Sequence, residues 1–238
     1  IKRREICENA EELYDFFTRV TYKYLHKCTL ETVASMVNTQ KQALLVFNTK
    51  KRAAEMFDLI DCPNKFYLTT NMYPEHRRRV LQAIRNLLDR GEEVKVVSTS
   101  VIEAGVDVDF EYVYTELTGT DSIIQRAGRC NRENKRNPEE SIVYIFELED
   151  WNEKYDVRYN ARQIATTKSI LDDLTENQTI ADLQAIDTYF TRLHFFEGAN
   201  LDKEKILAMI NKSEMLFETI AKTVKLIKDD TRPIFIVR

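Results

Sequence analysis

Between residues 43 and 147 the chain alternates short apolar runs with longer segments whose apolar positions recur every three or four residues. The runs at 43–47, 65–68, 94–97, 112–115 and 141–147 are rich in Val, Ile, Leu, Phe and Tyr. Several lack strict alternation, the pattern of strands buried on both faces. Between them, helices are expected at 50–60, at 74–90, and from 121 towards 132. Pro74 suits a first helical turn and Gly91 a C-terminal cap, while Asp121 is placed to cap the third helix. Strands alternating with helices predict right-handed βαβ units and a mostly parallel α/β sheet flanked by helices. Residues 1–40 are less regular. Short strands are expected near 3–6 and 13–17, and a helix at 30–39. Trp151 is expected to anchor the appended helices. Beyond it the period becomes helical at 153–174, 180–196, 202–210 and 213–224, with a last strand at 234–237. The pattern thus divides the chain into a sheet domain, 1–148, and a helical appendage, 149–238.

Composition narrows the class. The chain has 238 residues, 43% hydrophobic and 31% charged, as in ordinary globular proteins. No apolar run approaches the roughly 20 residues that span a bilayer. The first residues carry charge without an apolar segment behind them, which does not fit a signal peptide. The lack of an initiator Met suggests a fragment. Cys7, Cys28, Cys62 and Cys130 form no CxxC pair. That spacing fits reduced thiols in a cytoplasm better than a zinc site, and no metal site is expected. The net charge of −4 argues weakly against nucleic acid. The charge is uneven, however: 76–79 reads His-Arg-Arg-Arg and 126–136 is basic, while 147–150 is acidic. Local patches matter more than the sum for phosphate binding.

Ligands of open parallel sheets bind beyond the carboxyl ends of the strands. Those ends carry Asn48 and Thr49, then Thr69, Thr70 and Asn71, then Ser98, Thr99 and Ser100. Three loops of hydroxyls and amides suit contacts to a sugar–phosphate backbone. The same residues also suit plain helix capping. Gly105-Val106-Asp107 offers either a plain glycine turn with a helix-capping Asp, or a turn that brings backbone close to a ligand and a carboxylate able to accept from ribose hydroxyls. If the helix from 121 continues to 132, Gln125, Arg129 and Arg132 share one narrow face at about 100° per residue. Ile123, Ala127 and Cys130 then form the opposite face, turned to the sheet. Two guanidiniums on a face without an acid call for an anion, and their fork suits phosphate oxygens. Solvation of that face and pairing with Glu133, Glu139 or Glu140 is the alternative. No GxxxxGK[ST] loop is present to cradle β- and γ-phosphates. The chain by itself is therefore not expected to hydrolyse ATP.

At this point the wording of the chain resembles a known family. LLVFNTKKRA is similar to helicase motif IV of superfamily 2, STSVIEAGVDVDF to motif V and QRAGRCNR to motif VI. EAGVDVDF followed by DSIIQRAGRCNR, together with LTTNMYPEHRRRVLQAI, most resembles the CRISPR-associated helicase–nuclease of type I systems. The resemblance covers about residues 41–148 and fades in the tail, where DTRPIFIV looks like the start of that family's C-terminal region. It implies a second RecA-like lobe with motifs IV, V and VI. Arg129 and Arg132 would reach the γ-phosphate, and Gln125 would couple nucleotide to strand. Gly105 and Asp107 would lie on the nucleotide side, Asp107 near the ribose. Asn48, Thr49 and Thr99 would touch the nucleic-acid backbone, with Thr69, Thr70 and Ser98 as the further rim candidates. ATP and Mg2+ would bind between this lobe and a first lobe outside the chain. Single-stranded DNA, a nuclease domain and a Cascade-type surveillance complex are the implied partners, and 3′–5′ unwinding the implied activity. Two other readings remain: a non-catalytic nucleic-acid or partner-binding module, and a lobe of another superfamily 2 helicase acting on RNA.

Overall fold

The computed structural model describes residues 9, 12, 18–150, 161–175, 178–198, 202, 204–211 and 216–224. The strands expected at 3–6, 13–17 and 234–237, and Trp151, lie outside these residues. The sheet has six strands: β1 Thr21–Cys28, β2 Gln42–Val46, β3 Lys65–Leu68, β4 Val94–Ser98, β5 Tyr112–Glu116 and β6 Ile142–Leu148. Their order is β1-β6-β5-β2-β4-β3, and every pairing is parallel. All carboxyl ends therefore share one rim. The expected α/β sheet is present, built on the RecA-like pattern.

The central strands explain why the sheet forms. Every residue of β2 and β4 is buried. Successive side chains along a strand point to opposite faces. Leu44 and Val46 accordingly join Val96, Val113 and Ile84 in one core, while Ala43, Leu45 and Phe47 join Val97, Tyr114 and Met56 in the other. The second core is covered by α1 Leu30–Asn38 and α2 Lys50–Leu59, whose buried residues include Val33, Val37, Ala53 and Met56. The first is covered by α3 Pro74–Asp89. Gly91 ends α3 at φ +63°, and the amides of Gly91 and Glu92 close on Leu88 and Leu87. This is the glycine cap expected from the sequence.

Strand β1 was not expected. Its polar edge residues Lys23, His26 and Lys27 are exposed, so it lacks a continuous apolar run. It pairs with β6 through an irregular register between Tyr24 and Lys27, where His26 has a positive φ of 55°. The alternation of Tyr22 and Tyr24 with lysine was the available signal.

The helix at 121 is shorter than expected. It is α4 Thr120–Ala127, with Gly119 at its N-cap rather than Asp121, and Gly128 at its C-cap. Beyond Gly128 the backbone pairs elsewhere: Phe110 N–H donates to the Arg129 carbonyl and Asn131 N–H to the Phe110 carbonyl. Asn131 takes a positive φ of 45°. Residues 129–132 therefore form a loop tied to the segment before β5, not a helical continuation.

After the sheet, one helix and most of a second belong to the same compact unit, which runs to Leu193. In α5 Ala161–Asp173, Thr167 hydrogen-bonds Thr120 and Lys168 pairs with Glu147. In α6 Leu183–Glu197, Tyr189 donates to Asp121. A shallow pocket between them is lined by Ile170, Leu174, Asp182, Ala185 and Arg192, none of them a rim residue. A second unit comprises residues 194–238. It holds α7 Ile206–Ile210, whose first amides donate to Asp202, and α8 Phe217–Thr223.

Candidate functional site

The connection from β4 to β5 and the loop after α4 meet at the carboxyl rim. After β4, Ser100–Ile102 makes a 3-10 turn, and Gly105 comes next at φ +69°. No heavy atom lies within 4 Å of where a side-chain carbon would sit on Gly105. Its glycine thus answers to backbone conformation, not to crowding. The turn leaves two carbonyls open, and Arg129 uses both: Nε donates to Ile102 O at 3.0 Å and Nη2 to Glu103 O at 2.6 Å. Arg129 is buried, with 7% of its surface exposed. Burial, and then the neighbouring Arg132, lower its pKa, and Asp107 partly offsets them. Nη1 makes no hydrogen bond among the described residues.

Arg132 is exposed and donates through Nε to Asp107 at 2.7 Å. Its backbone N–H donates to Asp109, whose other oxygen accepts from Arg136. The expectation of two arginines on a helical face without an acid is therefore corrected. Helix α4 ends before either of them, and Asp107 pairs with Arg132 directly. Gln125 lies on α4 itself and is exposed. The structure brings Gly105, Asp107, Arg129 and Arg132 together through loop pairing, while Gln125 shares no helical face with the arginines. Among the described residues, no group of three or more His, Cys, Asp or Glu side chains could hold a metal ion.

The hydroxyl rim is organised differently. Ser98 is fully buried, and its single hydroxyl proton is shared between the carbonyls of Thr99 at 2.9 Å and Leu68 at 3.3 Å. Thr69 is buried and its hydroxyl accepts from the Asn71 amide. Thr49 caps α2 by accepting from Arg52 N–H at 3.3 Å. Thr99 is buried at the start of the 3-10 turn. Asn48 is half-buried: its amide group donates to Leu117 O and accepts from Arg126. Thr70 alone among the six rim candidates is exposed.

Arg126, which no local pattern in the sequence marks out, is the centre of this region. It is 2% exposed, and its side chain makes four contacts. Nε donates to Glu103 Oε1 at 2.8 Å, Nη1 to Thr115 Oγ1 at 2.9 Å and Glu116 O at 3.2 Å, and Nη2 to Asn48 Oδ1 at 3.2 Å. Burial lowers its pKa, against the pull of Glu103, Glu116 and Asp121. A buried guanidinium of this kind needs a carboxylate. The signal in the sequence was the acid in VIEAGVD, two residues before the glycine.

Residues 32–135 match the family described as "CRISPR-associated nuclease/helicase Cas3, C-terminal". The chain is 26% identical over 136 residues to a CRISPR-associated nuclease/helicase Cas3 of Methanothermobacter thermautotrophicus, covering 57% of this chain and 16% of that protein. It is 37% identical over 84 residues to a Cas3 of Haloferax volcanii, covering 34% of this chain and 9% of that protein. The chain thus spans less than a fifth of the length of these curated relatives. Among solved structures, T. fusca Cas3 superposes with a TM-score of 0.59 at 17% identity, covering 79% of this chain and 26% of that one. A structure of T. fusca Cas3-AMPPNP superposes with a TM-score of 0.60 at 16% identity over the same shares. A CRISPR RNA-guided surveillance complex, pre-nicking, gives 0.56 at 16% identity, covering 86% of this chain and 27% of that one. At these identities the structural likeness shows the fold.

Proposed function

We propose, for a chain whose residues 32–135 are a Cas3-like C-terminal helicase domain, that it is the arginine-bearing motor lobe of an ATP-driven 3′–5′ DNA translocase. The observation that carries this reading is the grouping of Arg129, Arg132, Asp107 and Gly105 at the carboxyl rim. Arg129 is anchored through Nε and Nη2, which leaves Nη1 for an incoming phosphate oxygen. Arg132 is held by an exposed carboxylate that phosphate can replace, since both accept the same fork. Asp107, once released, is placed to accept from a ribose hydroxyl. These residues supply half a site. The phosphate cradle and the carboxylates for magnesium are assigned to a first lobe outside this chain, and Gln125 to the contact between lobes. With ATP bound, Arg129 and Arg132 would neutralise charge on the γ-phosphate as it departs.

In the same proposal, single-stranded DNA passes over the rim. Thr70 is presented for contact, and Thr49, Thr69 and Thr99 contribute through their loops. Asn48 and Ser98 fix the loops from within. A nuclease domain in the same protein, a Cascade-type surveillance complex as partner and a cytoplasmic setting in antiviral defence complete the proposal. The test is Arg129→Ala in the full-length protein. DNA-stimulated ATP hydrolysis should fall by about 10³-fold or more. Survival of that rate near wild type overturns the assignment.

A further inference from the structure

Glu103 has two separate duties in this fold. Its carboxylate accepts from Arg126 Nε at 2.8 Å and, more weakly, from Ser122 Oγ at 3.4 Å. Its main-chain carbonyl accepts from Arg129 Nη2 at 2.6 Å. The residue is therefore fixed through its side chain and, in turn, fixes Arg129 through its backbone. Arg126 does not float either. It is clamped on the ends of β5 and β2 through Thr115, Glu116 and Asn48. The side chains of Arg126 and Glu103 are 3% and 13% exposed, so water does little to weaken the pair. Ile102 seats the turn 100–104 in the core, and the ion pair is the charged contact that holds its Glu103 end, next to a glycine at positive φ.

We infer that the Glu103–Arg126 pair is a positioning device: it sets the turn whose carbonyls aim Arg129, and ties that aim to Asn48 at the end of β2. This inference rests on Arg129 being the phosphate-facing arginine. Glu103 touches no reacting atom in it. The pair acts through Arg129, and a displacement of the Asn48 loop is transmitted to Arg129 along rigid, buried contacts. Few alternative arrangements are open to Arg126, because its polar partners lie on three separate segments: the turn at Glu103, the end of β5 at Thr115 and Glu116, and Asn48 after β2.

The test is a double-mutant cycle in the full-length protein. Glu103→Gln keeps the size of the side chain and removes its charge. It should lower the DNA-stimulated kcat about tenfold while leaving KM for ATP within about twofold, because nucleotide binding is retained and only the transition-state contact is misaimed. In an Arg129→Ala background the same substitution should have no further effect on kcat, since the two residues act in series. A second readout is binding of ADP with fluoroaluminate, a mimic of the transferring phosphoryl group, against binding of ADP alone. Glu103→Gln should weaken the first at least fivefold and leave the second unchanged. Glu103→Asp, which keeps the charge, should recover part of the loss. Additive effects in the cycle, or equal weakening of both ligands, would overturn the positioning role, since a merely structural residue gives that result. If Glu103→Gln does not fold, Glu103→Asp carries the same two readouts. If Arg129→Ala itself leaves kcat intact, the motor reading fails instead, and the two failures are told apart.

Discussion

The two halves of the carboxyl rim teach different things about how chemistry is stored in a sequence. The hydroxyl half, at the ends of β2, β3 and β4, is rich in Ser, Thr and Asn, yet its members mostly satisfy the protein's own backbone. Ser98 bonds Leu68, Thr49 caps α2 and Asn48 bonds Leu117. The arginine half uses its polar groups in graded fashion. Arg126 is wholly internal, Arg129 is anchored through Nε and Nη2, with Nη1 unbonded among the described residues, and Arg132 rests on an exposed carboxylate. The difference follows from geometry. A short hydroxyl at a strand end reaches only the nearest carbonyl or amide, whereas a guanidinium can anchor on one side and still present donors on the other.

The largest expected effect that would break this comparison lies at Arg126. Replacing it by Ala leaves the Glu103 carboxylate mostly buried without its cation. Losing one partner of a buried pair costs about 3–5 kcal/mol. Urea unfolding of Arg126→Ala against the parent measures it, and a change under about 1 kcal/mol would mean the pair is no anchor. A smaller effect is expected on the hydroxyl side. Ser98→Ala removes one buried hydrogen bond, worth about 1 kcal/mol, and should leave single-strand affinity unchanged. Thr70→Ala should show the opposite, with unchanged unfolding and weaker binding of oligo(dT). If Ser98→Ala weakens binding and Thr70→Ala does not, the division of the rim into internal and presented hydroxyls is wrong. Smaller still is the stability effect of Arg132→Ala. Its pair with Asp107 has side chains 41% and 68% exposed. Exposed pairs contribute about 0–1 kcal/mol, so stability should hardly move while nucleotide turnover falls. A loss of several kcal/mol there would place Arg132 with Arg126 as a structural residue.

Much of the fold was legible because buried parallel strands write themselves as apolar runs. All five expected strands from 43 to 147 are present within a residue or so of their expected bounds. Strand β1 escaped notice because an edge strand keeps lysines on its open side. The candidate site was legible as a set of residues but not as a geometry. The periodic pattern of 121–132 looked helical throughout, and Ile123, Ala127 and Cys130 are indeed buried. Cys130, however, reaches the core from a loop paired with Phe110. Long-range backbone pairing of this sort leaves no trace in local period. The role of Arg126 is hidden for the related reason that two of its partners, Glu103 and Asn48, lie 23 and 78 positions away.

The smallest effect expected near neutral pH comes from the buried thiols, of which Cys28 at the end of β1 and Cys130 in the loop after α4 are pushed furthest. Burial holds the Cys28 thiol up at about 11, and burial with Asp109 nearby holds Cys130 up at about 12, against an ordinary value of 9.0. In the unfolded chain both lose their proton near the ordinary value. In the folded chain they keep it until far higher pH. Above about pH 9 the unfolded state therefore binds fewer protons than the folded one, and stability falls as pH rises. Below that value the thiols contribute their full share and the dependence vanishes. The thermal midpoint should consequently drop between pH 9 and pH 11, and Cys28→Ala and Cys130→Ala should each flatten that drop. Tyrosines titrate in the same range, so the slope difference between variants and parent is the measurement. If Cys130→Ala leaves the slope unchanged while Cys28→Ala flattens it, the loop after α4 opens to solvent, and the arginines it carries are less firmly set than those on the sheet.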